Sequence, residues 1–209
     1  MKDTFKEKAV TWDQNPLVLE IAGKFTEELI RRVRLNREMV LLEFGCGTGQ
    51  VGMRLHSLVN SIIMVDNSAA MLSHLREKMA KEDIRNMTVF EGDIKEMVNE
   101  LPQPDLIYSL MSLHHVSDIP GLLSAFRQIL KPGGDIIVSD LLTEDGSFHG
   151  DEKVPHNGFS PEELRRLFDA QGLSIKGLEI YHTIKKPGPD NTIREYEQFI
   201  LSARHRDIS

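Results

Sequence analysis

The chain has 209 residues, 40% of them hydrophobic and 27% charged, which suits one globular domain. Its net charge of −7 argues against a general nucleic-acid binder, and its single cysteine excludes an internal disulfide. No apolar run reads as a signal peptide or a membrane span, so a cytoplasmic enzyme or binding protein is expected.

The first strongly periodic stretch is 16–35, where Leu17, Ile21, Phe25, Leu29 and Val33 recur at every fourth position. That spacing predicts a helix with one buried face, and residues 1–36 together read as an N-terminal helical cap. "MVLLEF" (39–44) is short and almost wholly apolar, the pattern of a buried strand. "SIIMVD" (61–66), "MTVFEG" (87–92), "DLIYSL" (105–110) and "DIIVSDLL" (135–142) repeat it. Helices are predicted between them. One runs over 67–82, opened by the capping residues Asn67 and Ser68, and one over 119–130, stopped by "KPGG". A third covers 160–168, with Ser160 as cap and Pro161 in its first turn. Two last strands, near 174–182 and 194–203, are joined by the turn-rich "KKPGPDN". So short a connection makes that pair antiparallel. Residues 142–159, "LTEDGSFHGDEKVPHNGF", show no period and are long for a plain connection, so a lid loop is expected there. Its Phe148 and Phe159 are candidates to cover an apolar substrate.

"LLEFGCGTGQVG" (41–52) places Gly45, Gly47 and Gly49 directly after the first strand. One glycine satisfies a turn; three at alternate positions suggest a ligand lying close to the backbone. The dinucleotide fingerprint needs its third glycine at position 50, which is Gln50. Asp66 ends the second strand, where an acid can accept hydrogen bonds from ribose hydroxyls or serve as a helix N-terminal acid. Asp93 follows the third strand, either as a plain turn residue or in reach of an adenine amino group.

The ordered set "EFGCGTG", Asp66, "GDI", "PDLIYSLMSLHHV" and "LKPGG" with "IIVSDL" resembles the class I S-adenosylmethionine-dependent methyltransferases, in register from about residue 39 to 142. "TWDQNP" and "DGSFHGDEKVPHNGF" resemble a subgroup thought to act on small molecules. The resemblance implies a single domain over 1–209 with an α/β, Rossmann-like, doubly wound fold. Its seven-stranded sheet would be mostly parallel with an antiparallel last strand and helices on both faces. It also implies S-adenosyl-L-methionine as cofactor and a small-molecule methyl acceptor, with no DNA and no membrane partner. Glu43 and Phe44 would sit at the ligand's ammonium end, and Gly45, Gly47 and Gly49 under its tail. Asp66 would hold the ribose, with Asn67 and Met71 as further cofactor contacts, Asp93 and Ile94 would lie at the adenine, and the backbone around Ser109 and Leu110 would line the methionine end. Cys46 reads as a small filler of the loop. Family members often carry aspartate where this chain has Glu43. The rival readings are a nicotinamide-dependent oxidoreductase and a module that binds S-adenosylmethionine without chemistry.

A base is needed only if the accepting atom carries a proton. His149, His156 and His115 are the candidate catalytic residues, with His114, Asp140 and His182 as further candidates. His114 and His115 could equally cap a helix or pack under the cofactor. No metal is expected, because His149, Asp151 and His156 match no known ligand spacing. Trp12 and Asp13 could close over the methionine end, or form a helix-entry staple.

Overall fold

The computed structural model describes residues 8–188 and 192–205. The first seven residues of the expected N-terminal cap, and the last three of "KKPGPDN", lie outside the described residues. The helices are α1 (Ala9–Trp12), α2 (Pro16–Arg32), α3 (Gly52–Leu55), α4 (Ala69–Lys81), α5 (Ile119–Ile129) and α6 (Pro161–Ala170). The strands are β1 (Val40–Phe44), β2 (Ser61–Asp66), β3 (Met87–Glu91), β4 (Leu106–Leu110), β5 (Asp135–Leu141), β6 (Leu173–Pro187) and β7 (Ile193–His205).

They form one seven-stranded sheet in the order β3-β2-β1-β4-β5-β7-β6. The first five strands are parallel; β7 runs antiparallel to both β5 and β6. Alternate side chains of each central strand enter opposite cores, as a strand's period of two requires. Leu42, Ile63, Ile107, Ile136 and Val138 pack with α5 and α6. Leu41, Ile62, Met64, Tyr108 and Ile137 pack with α2 and α4. The α/β doubly wound expectation therefore stands, with helices on both faces.

Local chemistry sets the helix ends. Ser68 caps α4 by accepting from Met71 N, Ser160 caps α6 by accepting from Glu163 N, and Asn15 caps α2 through Leu17 N. The cap of α4 is thus Ser68 and not Asn67. The terminal hairpin is longer than its apolar pattern predicts, 15 residues in β6 and 13 in β7. Two register shifts, at Ile175/Gly177 and Ile180/His182, keep β6 paired through polar stretches that carry no strand signal.

This order fixes where a ligand can bind. From β1 the chain steps to β2 and β3, then returns to β4 on the other flank of β1. The carboxyl ends of β1 and β4 are therefore the topological switch point, and the crevice beyond them is where open α/β sheets take ligands. Phe44 and Ser109 are register partners at that edge.

Candidate cofactor and acceptor site

The loop after β1 is built on three glycines with positive φ, +65° at Gly45, +52° at Gly47 and +77° at Gly49. Side chains rarely adopt this conformation. A Cβ on Gly45 would lie 2.2 Å from Ser112 Oγ, and one on Gly49 would lie 2.5 Å from Leu75 Cδ1. These two glycines let the loop pack against the chain after β4 and against α4. Gly47 differs: a Cβ there meets nothing within 4 Å. The space over Gly47 is open, as a ligand lying on this backbone requires. The amides of Gly45 and Cys46 both donate to Val65 O, at 2.9 and 3.1 Å, which ties the loop to the end of β2. Cys46 is buried and burial pushes its thiol well up, so it packs the loop and is no nucleophile.

Asp66 joins the loop to α4. Its Oδ2 accepts from Gly47 N at 2.7 Å and its Oδ1 from Ser68 N at 2.8 Å. Each carboxylate oxygen can accept a further bond, so ribose hydroxyls can be held without breaking either. Glu43 lies behind the loop. Its Oε2 accepts from Gly52 N at 2.8 Å and from Tyr108 Oη at 2.9 Å. That clamps the start of α3 to β4, and Oε1 makes no hydrogen bond among the described residues. Burial pushes the Glu43 carboxyl up to about 8, against those two hydrogen bonds. Tyr108 carries no functional signal in the sequence, because an aromatic in a buried strand reads as core.

The remaining cofactor-side residues occupy the same edge. Met71 is buried in the first turn of α4, beside the exposed Asn67. Asp93 caps the short 3-10 turn Ile94–Glu96 by accepting from Lys95 N at 3.0 Å, and Ile94 is fully buried. Ser109 is buried with no hydrogen-bond partner for its Oγ among the described residues, and Leu110 beside it is half-buried. After β4 the chain makes a strained turn, with Met111 at φ +51°. Ser112 Oγ donates to Gly45 O at 3.2 Å, linking this turn to the glycine loop.

That turn and the irregular loop 142–159 bring three histidines to one place. His114 is 1% exposed and its Nδ1 lies 2.6 Å from Asp140 Oδ1. Asp140 itself is fully buried, and its Oδ2 accepts from His114 N at 3.2 Å. His115 follows on the same 3-10 turn, and His149 comes from the irregular loop. Ring centroids stand 4.2 Å apart for His114 and His115, 4.7 Å for His114 and His149, and 5.5 Å for His115 and His149. Burial holds both His115 and His149 down to about 4, so both are neutral at physiological pH.

That depression has a stability consequence. Below pH about 6.5 the unfolded chain takes up protons that the folded histidines refuse, so they contribute stability that is lost as pH falls toward about 4. The raised Glu43 works in the opposite sense over part of this window. The double variant His115→Gln/His149→Gln is therefore the reference. Between pH 6.5 and 4.5 the wild type is expected to lose about 1–2 kcal/mol more than the double variant, after discounting for partial exposure. Urea unfolding at both pH values measures it.

Other predicted residues fall elsewhere. His156 Nε2 donates to Val116 O at 3.0 Å, and its amide donates to His114 O at 3.3 Å. It ties the loop 142–159 to the turn that carries His114 and His115. His182 lies on β6 with Nε2 3.3 Å from Glu20 Oε1, outside the cluster. Phe159 is fully buried in the core with Phe168 and Phe199, so it covers no substrate. Phe148 packs edge-on to both His149 and Tyr196, with centroids 5.0 Å away in each case. Asp13 accepts from Thr48 Oγ1 and pairs with Lys78 at 2.6 Å, which lays α1 beside the glycine loop. Lys8 pairs with Glu152, joining the start of that segment to the irregular loop. A surface groove of about 660 Å³ is lined by Leu142–Asp145 and the hairpin around Arg194–Glu197, away from the glycine loop. Cavity size does not locate this site; its chemistry does.

A family profile described as a methyltransferase domain matches residues 41–134, which contain the glycine loop, Asp66 and the His114–His115 turn. An uncharacterised methyltransferase of Schizosaccharomyces pombe is 28% identical over 179 residues, 78% of this chain and 62% of that protein. The 27-O-demethylrifamycin SV methyltransferase of Amycolatopsis mediterranei is 28% identical over 63% of this chain and 49% of its own length. The chain thus spans about half to three-fifths of these curated relatives. The crystal structure of a SAM-dependent methyltransferase from Aquifex aeolicus superposes with a TM-score of 0.75 at 19% identity, covering 96% of this chain and 98% of that one. No helix among the described residues is long and apolar enough to cross a membrane. Sheet order, glycine loop, family profile and relatives agree: residues 41–134 match a methyltransferase domain, set on the fold of an S-adenosylmethionine-dependent methyltransferase.

Proposed function

We propose that this chain transfers a methyl group from S-adenosyl-L-methionine to a small-molecule acceptor. The observation that carries the reading is the glycine loop at the switch point, held to Asp66 through the Gly47 amide and open above Gly47. The methyl sulfonium, when bound, supplies an activated methyl group. The chain's residues bind, orient and exclude water. Gly45, Gly47 and Gly49 lie under the ligand's tail, with Glu43 Oε1 and Phe44 at its ammonium. Asp66 and Asn67 accept the ribose, Met71 and Ile94 wall the adenine, and Asp93 takes its amino group. Ser109 and Leu110 line the methionine end. The cluster of His114, His115 and His149 faces the acceptor and receives its proton or steadies its charge. Segment 8–13 and the loop 142–159, joined by Lys8 and Glu152, keep water from the transfer. Alignment of donor and acceptor accounts for roughly 7–11 kcal/mol of such a barrier in favourable cases.

A relative named for methylation of 27-O-demethylrifamycin SV supports a small-molecule acceptor. The acidic charge balance supports the same choice over nucleic acid. Incubation with S-adenosylmethionine and a panel of thiols, hydroxyls and amines, reading S-adenosylhomocysteine release, tests the activity. Turnover with at least one acceptor is the expected result. Cofactor binding with no turnover on any acceptor leaves a non-catalytic binding module, and tight NAD binding returns the oxidoreductase reading. Asp66→Ala is expected to weaken cofactor binding by about 1.5–3 kcal/mol, the range for hydrogen bonds to a charged group. Calorimetry with S-adenosylhomocysteine measures it; unchanged affinity removes Asp66 from the site.

A further inference from the structure

Cofactor binding leaves three buried or half-buried imidazoles and one buried carboxylate unexplained. We infer that His114, His115 and His149 form a site for one divalent d-block cation of the zinc type, with an open position for the acceptor atom. Metal binding stands on the geometry alone. Only the acceptor's place beside it rests on the proposed methyl transfer.

One ring nitrogen from each histidine lies within 4.8 Å of the other two. Tetrahedral zinc with bonds near 2.0–2.1 Å needs nitrogens about 3.3 Å apart, so the rings have to close in by up to about 1.5 Å. His114 is already fixed for the task. Its Nδ1 donates to Asp140 Oδ1, which leaves the Nε2 lone pair as the ligand. A carboxylate behind a histidine in this way is the usual support of a zinc ligand. Asp140 also accepts from the amides of His114 and Leu141, so its orientation is set by backbone. It is fully buried, and its side-chain hydrogen-bond partner among the described residues is His114. A cation one imidazole away offsets that buried charge.

His149 supplies the independent sign. Its Nε2 is buried with no hydrogen-bond partner among the described residues. A buried imidazole nitrogen without a partner is costly unless something unseen completes it. The donor set also selects. Three imidazoles suit zinc, copper, iron or nickel, and not magnesium or calcium, which take oxygen ligands. Three protein ligands are the pattern of a reactive site, since the fourth position stays open. The ligands come from two loops, so the ion ties residues 113–115 to the irregular loop. His156 and Asp151 stay out of the set: His156 Nε2 is engaged at Val116 O, and Asp151 is exposed.

An acceptor thiol or hydroxyl at the open position sheds its proton to solvent more readily. Its lone pair then forms the bond to the methyl carbon. The electron pair of the broken carbon–sulfur bond stays on sulfur, giving the neutral thioether product.

The test uses the full chain, stripped with a chelator and titrated with zinc chloride and with cobalt chloride. One equivalent is expected to bind, with a visible cobalt spectrum of a nitrogen-rich, low-coordinate site and a raised melting temperature. His149→Ala and His115→Ala should each weaken zinc by more than 100-fold. Asp140→Asn should weaken it about 10–100-fold. His74→Ala, on the exposed side of α4, should bind as wild type. S-adenosylhomocysteine affinity in His149→Ala should be unchanged, which separates a failed metal site from a failed cofactor site. If the stripped wild type binds no more zinc than His149→Ala, the metal inference is overturned. The histidines are then left as a proton-accepting cluster, and the proposed function stands.

Discussion

Gly47→Val is expected to abolish binding of S-adenosylhomocysteine while leaving the protein folded. Two effects add. Gly47 sits at φ +52°, where a β-branched side chain costs about 1–2 kcal/mol or more. A Cβ on Gly47 meets no protein atom within 4 Å, so the side chain fills the space above the loop and not the core. The strain falls on the loop and the bulk falls on the ligand. Gly45→Ala should behave differently, because its Cβ would lie 2.2 Å from Ser112 Oγ and push apart the two loops of the switch point. It should lower the melting temperature more than Gly47→Val does. Calorimetry for binding and circular dichroism for folding separate the two. Normal binding by Gly47→Val means that the ligand does not touch the loop.

His149→Ala is expected to lower the methyl-transfer rate by about 100-fold or more, with cofactor affinity near wild type. The rings of His114 and His115 stand 4.7 and 5.5 Å from His149, and all three lie past β4 rather than on the ribose side. His115→Ala should act alike. Because the cluster works as a unit, the double variant should cost little more than either single one. His156→Ala should differ from both. His156 holds the loop to Val116 O, so its loss should lower stability and loosen the loop, with a smaller effect on rate. Single-turnover rates and melting curves together assign each residue. A rate unchanged in His149→Ala and His115→Ala would falsify the acceptor-side role of the cluster.

The β1–β5 half of the fold was legible because its strands are continuous apolar runs between capped helices. A parallel sheet buried on both faces forces that pattern, and β2 appears with its bounds as read. The hairpin was legible in kind but short in extent, since its outer ends alternate polar residues that pair only through β7. The cofactor edge was legible through glycines and strand-ending acids, residue types the backbone geometry demands. The acceptor edge was only partly so. His149 is distant in sequence from the neighbours His114 and His115, and nothing in their spacing shows that Asp140 would draw His114 inward. Tyr108 and Ser112 were missed because each reads as an ordinary core or turn residue until Glu43 and Gly45 are placed beside them. Phe159 was misjudged for the opposite reason. Its loop looks exposed, but the bridge between Leu142 and Phe159 folds it under the sheet edge.

A crystal structure of the chain with S-adenosylhomocysteine tests the central claim most directly. The ligand's tail is expected along Gly45–Gly49, its ribose hydroxyls on Asp66, and its sulfur turned toward the turn that carries His114 and His115. A ligand bound elsewhere, or a ribose that makes no hydrogen bond to Asp66, would contradict the account.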